Sequence, residues 1–263
     1  MTTDSVRTAT CATALMIALA VLPASSPAQT TAGGGKTATA PAGPPPDWER
    51  TKARMRELTL VGEDLKAIAI VEPIVAAHPR FAEGHARLGG AHEGAARALA
   101  RTDRALAAKH FELAATHLRR AFELGGGEYP DTTIRGLIDL YEYALPSAEK
   151  WKATVLDALA RYPAEPVSQW YGTELVIREG RIADLDGAFR RARVALPAGE
   201  PRLEYASLLV ALAARNVPPA ARTAVVREAL ALADDAVKGS PSDRAVKRKA
   251  DGVREDVARL PPK

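Results

Sequence analysis

The chain has 263 residues, 47% of them hydrophobic but only 5% aromatic, with 36 Lys and Arg against 32 Asp and Glu and a net charge of +4. The small excess of base is interleaved with acid, the pattern of a solvated helical surface, which argues against a nucleic-acid-binding module. The core must come from Ala, Leu, Val and Ile, and no period-2 alternation or Asn-Gly or Asp-Gly hairpin stands between strand-like runs; the reading is all-α.

Residues 1–28 read as a secretory signal peptide. Arg7 gives a positive start, Ala12 to Leu22 form an apolar run of 11 residues, and Ser26-Pro27-Ala28 supplies the small residues of a cleavage site. That run is shorter than the roughly 20 residues needed to span a bilayer. The expectation is export, to the periplasm or outside the cell, with cleavage after Ala28. The only cysteine, Cys11, precedes the apolar run and so does not fit a lipoprotein attachment site; the mature chain has no thiol chemistry. Residues 29–46 are rich in Thr, Ala, Gly and Pro and read as a disordered tether. Gly35-Lys36-Thr37 within it lacks both the preceding glycine and the strand of a phosphate loop.

From residue 47 to 241 the chain reads as successive helix pairs. Trp48 to Leu60 is the first helix, stopped at Gly62, and Leu65 to Ala77 the second, with Ala67, Val71 and Ile74 on one face. The next pair starts at Ala82, and its second helix carries Phe111, Ala114, Leu118 and Ala121. About 13 extra residues around Arg101 to Arg104 lengthen both. Gly125-Gly126-Gly127 breaks the chain, Pro130-Asp131 starts the next helix, and Ser147 caps its partner, which carries Trp151, Val155 and Ala158. Pro163 and Pro197, 34 residues apart, bound a further pair that turns at Gly180 and sets Ile182, Leu185, Phe189 and Ala192 on one face. Pro201 starts the last pair, Asn216 offers a left-handed cap, and the second helix runs to Gly239. Residues 242–263 form a capping helix with Val246, Ala250, Val253, Val257 and Leu260 on one side and Lys247, Arg248, Asp251, Arg254, Glu255 and Arg259 on the other. Two short helices cannot bury both apolar faces alone, so each pair needs neighbours of its own kind.

The unit resembles a tetratricopeptide repeat, a 34-residue helix-turn-helix with the pattern Trp-x2-Leu-Gly-x2-Tyr, Ala-x3-Phe and Pro. The match is carried by His85-x2-Leu88-Gly89-x2-His92, with histidines in the aromatic slots, by Phe189, Ala192 and Pro197, and by Leu118 and Ala121. Trp170 stands about one residue from its slot. The resemblance implies a right-handed α-solenoid of four to five antiparallel helix pairs that binds a protein or peptide in a concave groove formed by the first helix of each pair. In that groove Arg87, Arg135, Asp139, Tyr171 and Arg178 are the candidate contacts. Arginine can hold a carboxylate through two parallel hydrogen bonds, so the ligand class is an acidic segment or a C-terminal carboxylate. No cofactor is implied.

Chemistry beyond binding has thin support. His78, His85 and His92 are spaced by seven, as are His110 and His117. Seven residues is about 10.5 Å along a helix, too far for two of them on one helix to share a zinc ion. A metal-dependent enzyme would need His85, His92, His110 and His117 gathered from two antiparallel helices, whereas the plain reading makes them packing residues. No His-Glu-x-x-His and no Gly-x-Ser-x-Gly is present. A third reading, an adaptor for anionic polymer or membrane, uses the basic C-terminal helix.

Overall fold

The computed structural model describes residues 43–215 and 217–261, all within one compact unit. The expected signal peptide, all but the last residues of the expected tether, and Asn216 lie outside the described residues. Among those described there are eleven α-helices and no strand. They are α1 Trp48–Leu60, α2 Asp64–Ala77, α3 Ala82–Leu99, α4 Arg104–Glu123, α5 Pro130–Asp139, α6 Ala148–Arg161, α7 Pro166–Arg178, α8 Leu185–Ala195, α9 Glu200–Ala213, α10 Pro219–Gly239 and α11 Arg244–Ala258. Helices consecutive in sequence pack side by side as α1/α2, α3/α4, α5/α6, α7/α8 and α9/α10, and α11 closes the row against α9 and α10. The architecture is an α-solenoid. No helix among the described residues is long and apolar enough to cross a membrane.

The punctuation of the sequence sets the turns. Gly125, Gly126 and Gly127 all take positive φ, which ends α4, and Gly180 (φ +69°) does the same after α7. Asp103 and Ser147 cap α4 and α6 by accepting from the backbone N–H groups of Leu106 and Lys150. The inserted residues of the second unit go into α3 and α4, which make the most extensive helix–helix contact among the described residues. Leu140–Ala144 forms a π-helical turn that extends α5 and buries Tyr141. Ile182 begins a 3-10 turn ahead of α8, so it packs only partly, while Leu185, Phe189 and Ala192 are buried as their spacing requires.

The apolar core forms two clusters. One joins Trp48, Met55, Leu58, Val71, Phe81 and Leu88 of the first three helices and their turns; the other runs from Ala114 of α4 to Val253 of α11. Within the second, α7 is enclosed by α5, α6, α8 and α9, and its residues from Pro166 to Ile177 are all buried. A one-faced pattern would not suggest this, because Ser168, Gln169, Thr173 and Glu174 are buried alongside the apolar residues. Part of this polarity is met within the fold: Gln169 Nε2 donates to the Pro163 carbonyl at 2.8 Å and Thr173 Oγ1 to the Gln169 carbonyl at 3.0 Å, whereas Ser168 Oγ and one Glu174 oxygen have no partner among the described residues.

Candidate functional site

A cavity of about 410 Å³ opens between the first helices of three successive pairs. Met55, Arg56 and Thr59 of α1, Ala86, Arg87 and Gly90 of α3, and Thr132, Arg135 and Asp139 of α5 form its walls, with Leu118 of α4 beneath. The floor is low because α3 presents Ala86 and Gly90 there, between the longer side chains of Glu83, Arg87 and Glu93. A β-carbon at Gly90 would meet no atom within 4 Å, so the space above it is open.

The two ends of this groove differ in charge. At one end Lys52 Nζ lies 3.1 Å from Glu49, 3.6 Å from Glu83 and 3.2 Å from Glu128. Trp48 Nε1 donates to Glu83 at 2.9 Å, and Arg87 stands 3.5 and 3.7 Å from Glu83 and Glu128. Hydrogen bonds to Glu49 and Glu128 raise the Lys52 pKa, and the Lys52 hydrogen bond lowers that of Glu128. That end is nearly self-neutralised. At the other end Arg56 and Arg135 have no ion pair among the described residues, while Glu93 is held by Arg97 at 2.5 Å and Asp139 accepts the Tyr171 hydroxyl at 3.0 Å. Two guanidiniums therefore remain without a partner on the groove wall.

Of the five residues expected in the groove, Arg87, Arg135 and Asp139 line it. Tyr171 does not: it is 2% exposed, packed against Trp170 at 4.5 Å and Trp151 at 6.4 Å, and it supports Asp139 from below. Burial, with the Asp139 charge beside it, pushes its pKa up. The reason is that α7 is enclosed on every side, so its groove-side position is an interior one. Arg178 is also outside the cavity. It lies over the Trp151 ring at 4.3 Å, donates to Glu142 at 2.6 Å, and shares the buried Glu174 carboxylate with Arg215. Arg56 and Gly90 are groove residues the sequence reading missed. The signal available was that α1 is itself the first helix of a pair, so its exposed face belongs to the same surface.

The histidines come together between α3 and α4. His85 Nδ1 is 3.1 Å from His117 Nδ1, and His92 Nδ1 is 2.9 Å from His110 Nδ1. In each pair the nitrogens face each other as hydrogen-bond partners, and among the described residues no group of three His, Cys, Asp or Glu is placed to hold a metal ion. His85 and His92 fill buried packing positions. On α11 and at its C-terminal end much of the basic charge is already paired: Lys249 with Glu200, Arg254 with Asp234 and Asp251, and Arg259 with Glu255 and Asp256.

No protein-family model matches the chain, and no curated protein matches it. Solved structures do match it, two of them as follows. One is the crystal structure of a TPR repeats protein from Bacteroides fragilis, at 11% identity over 79% of this chain and 97% of its own, with a TM-score of 0.36. The other is an assembly chaperone of RpL4, at 14% identity over 80% of this chain and 96% of its own, also at 0.36. Overlap this loose carries no argument, and the architecture rests on the helix pairing described above.

Proposed function

We propose that the chain is an exported, non-catalytic scaffold that binds a protein or peptide in the groove between α1, α3 and α5. The observation that carries this reading is the pair of guanidiniums, Arg56 and Arg135, that have no ion pair among the described residues, over a floor lowered at Ala86 and Gly90. A glycine there lets a ligand backbone approach the helix closely, and a fixed guanidinium fork matches a carboxylate. The ligand class is an acidic segment or a free C-terminal carboxylate, with Arg87 and Asp139 flanking it.

The test uses a peptide library with acidic segments and free or amidated C-termini, read by fluorescence anisotropy against the chain beginning at Gln29. Binding should fall at least tenfold in Gly90→Leu, which fills the groove, and in Arg135→Glu. Losing one charged hydrogen-bond partner is worth about 1.5–3 kcal/mol, and each 1.4 kcal/mol is tenfold in affinity. Arg259→Glu, at the C-terminal end of α11, should leave binding unchanged. If Gly90→Leu binds the same peptides equally well, the groove is not the site. Export carries its own test: the exported protein should begin at Gln29, and a mature form that retains Met1 would refute cleavage.

A further inference from the structure

The four histidines between α3 and α4 form a continuous ladder of rings. Centroids are 5.3 Å apart from His85 to His117, 5.7 Å from His117 to His92, and 5.2 Å from His92 to His110. The ladder stands on the two helices where the apolar clusters meet. The joint between the first three helices and the rest is therefore partly polar.

Proton positions in the neutral ladder follow from its partners. The Pro79 carbonyl can only accept, so His85 carries its proton on Nε2 and offers a bare Nδ1 to the Nδ1–H of His117. His92 Nε2 is buried without a partner; left bare, it puts the His92 proton on Nδ1, donated to His110. Each pair thus holds one N–H in a gap of 2.9–3.1 Å. A further proton on the His92–His110 pair has no good place. On His92 Nε2 it would be a buried donor with no acceptor, and on His110 Nδ1 it would face a second N–H. A proton on His117 Nε2 keeps the bond to His85 but sets a charge against the His92 ring, stacked 4° from parallel.

The charged groups around the ladder do not relieve this. From α4, Arg120 adds positive charge beside His85. From α2, Asp64 faces Gly94 of α3. On α3, Glu83 and Arg87 are engaged with each other and with the groove end, and Glu93 with Arg97. From α5, Arg135 and Asp139 line the groove. On α4 itself, Lys109 and Glu112 are exposed. None of these carboxylates is hydrogen-bonded to a ladder ring among the described residues. Burial accordingly holds His85, His92 and His117 below the ordinary imidazole pKa, His92 down to about 4.

We propose that this ladder is a proton-operated latch: neutral, it holds α3 against α4, and on acidification through and below the imidazole range proton uptake by the rings parts the two helices. The groove moves with it, because Ala86, Arg87 and Gly90 share α3 with His85 and His92, and Leu118, next to His117, lies under the groove floor. Three rings charge freely only when the helices part. The parted population therefore rises as pH falls, by more than tenfold per pH unit wherever opening takes up more than one proton. The latch stands whether or not the groove binds a peptide.

Two measurements on the chain from Gln29 test it. Imidazole resonances followed from pH 8 to pH 4 should show His85, His92 and His117 titrating below the ordinary range, with steps steeper than a single proton. Hydrogen exchange, corrected for its intrinsic pH dependence, should lose at least tenfold more protection in α3 and α4 than in α7 and α10 between pH 7 and pH 5. In His92→Leu/His110→Leu that difference should shrink. Rings titrating independently at ordinary values, or protection in α3 and α4 falling no more than in α7 and α10, would overturn the latch on the unsubstituted chain alone.

Discussion

Leu118 occupies the space that a side chain on Gly89 would need: a β-carbon there would stand 2.7 Å from Leu118 Cγ and 3.1 Å from its backbone nitrogen. The neighbouring Gly90 faces open space. Two adjacent glycines in one helix should therefore respond with opposite signs. Gly89→Ala overpacks the α3–α4 contact and should destabilise by about 1–2 kcal/mol, the overpacking cost less the propensity gain. Gly90→Ala meets nothing and should stabilise by about 0.5–1 kcal/mol. Urea midpoints of the two variants decide it; a loss of stability in Gly90→Ala would mean that the groove floor is already filled.

Stability should fall on mild acidification. The folded pKa of His92, about 4, lies below the ordinary 6.5, so the unfolded chain takes up the proton first. The contribution is complete above about pH 6.5 and is lost as pH falls toward 4, amounting to about 3 kcal/mol for His92. His85 and His117 add in the same direction. Asp64 and Glu165, whose pKa values burial raises, work the other way in the carboxylate range. Thermal melts at pH 7.5 and 5 should show a drop that His92→Leu reduces.

Arg178 and Arg135 should separate stability from binding. Arg178 is one of two guanidiniums on the buried Glu174 carboxylate, so Arg178→Ala should cost about 2 kcal/mol and leave peptide affinity within twofold. Arg135→Ala should change stability by less than about 0.5 kcal/mol, as surface substitutions do, and lower affinity. Paired denaturation and anisotropy measurements check both, and the reverse pattern would restore Arg178 to the binding surface.

Tyr205 and Thr173 form a buried hydroxyl pair at 2.8 Å that joins α9 to α7. Because Thr173 already donates to the Gln169 carbonyl, Tyr205 is the donor between them. Tyr205→Phe should cost about 1–2 kcal/mol, and Thr173→Val added to it should cost less than the sum of the single changes, because no buried group is left unpaired. Strict additivity in a double-mutant cycle would argue against the bond.

The order of helices was legible because local signals mark it: glycines that can take positive φ at 125–127 and 180, caps at Asp103 and Ser147, and prolines at 130, 166, 201 and 219. Spacing also placed Leu185, Phe189 and Ala192 inward; of the five groove positions that the repeat resemblance implied, Arg87, Arg135 and Asp139 line the cavity and Tyr171 and Arg178 do not. Tertiary packing alone decided the rest. Periodicity names the face of a helix but not how many neighbours cover it, so the burial of Tyr171 and Glu174 on an enclosed α7 could not be read. Sevenfold spacing put the histidines on a common stripe of each helix; only the pairing of α3 with α4 brought their Nδ1 atoms face to face, because a hydrogen bond depends on distances between chain segments that no local pattern contains.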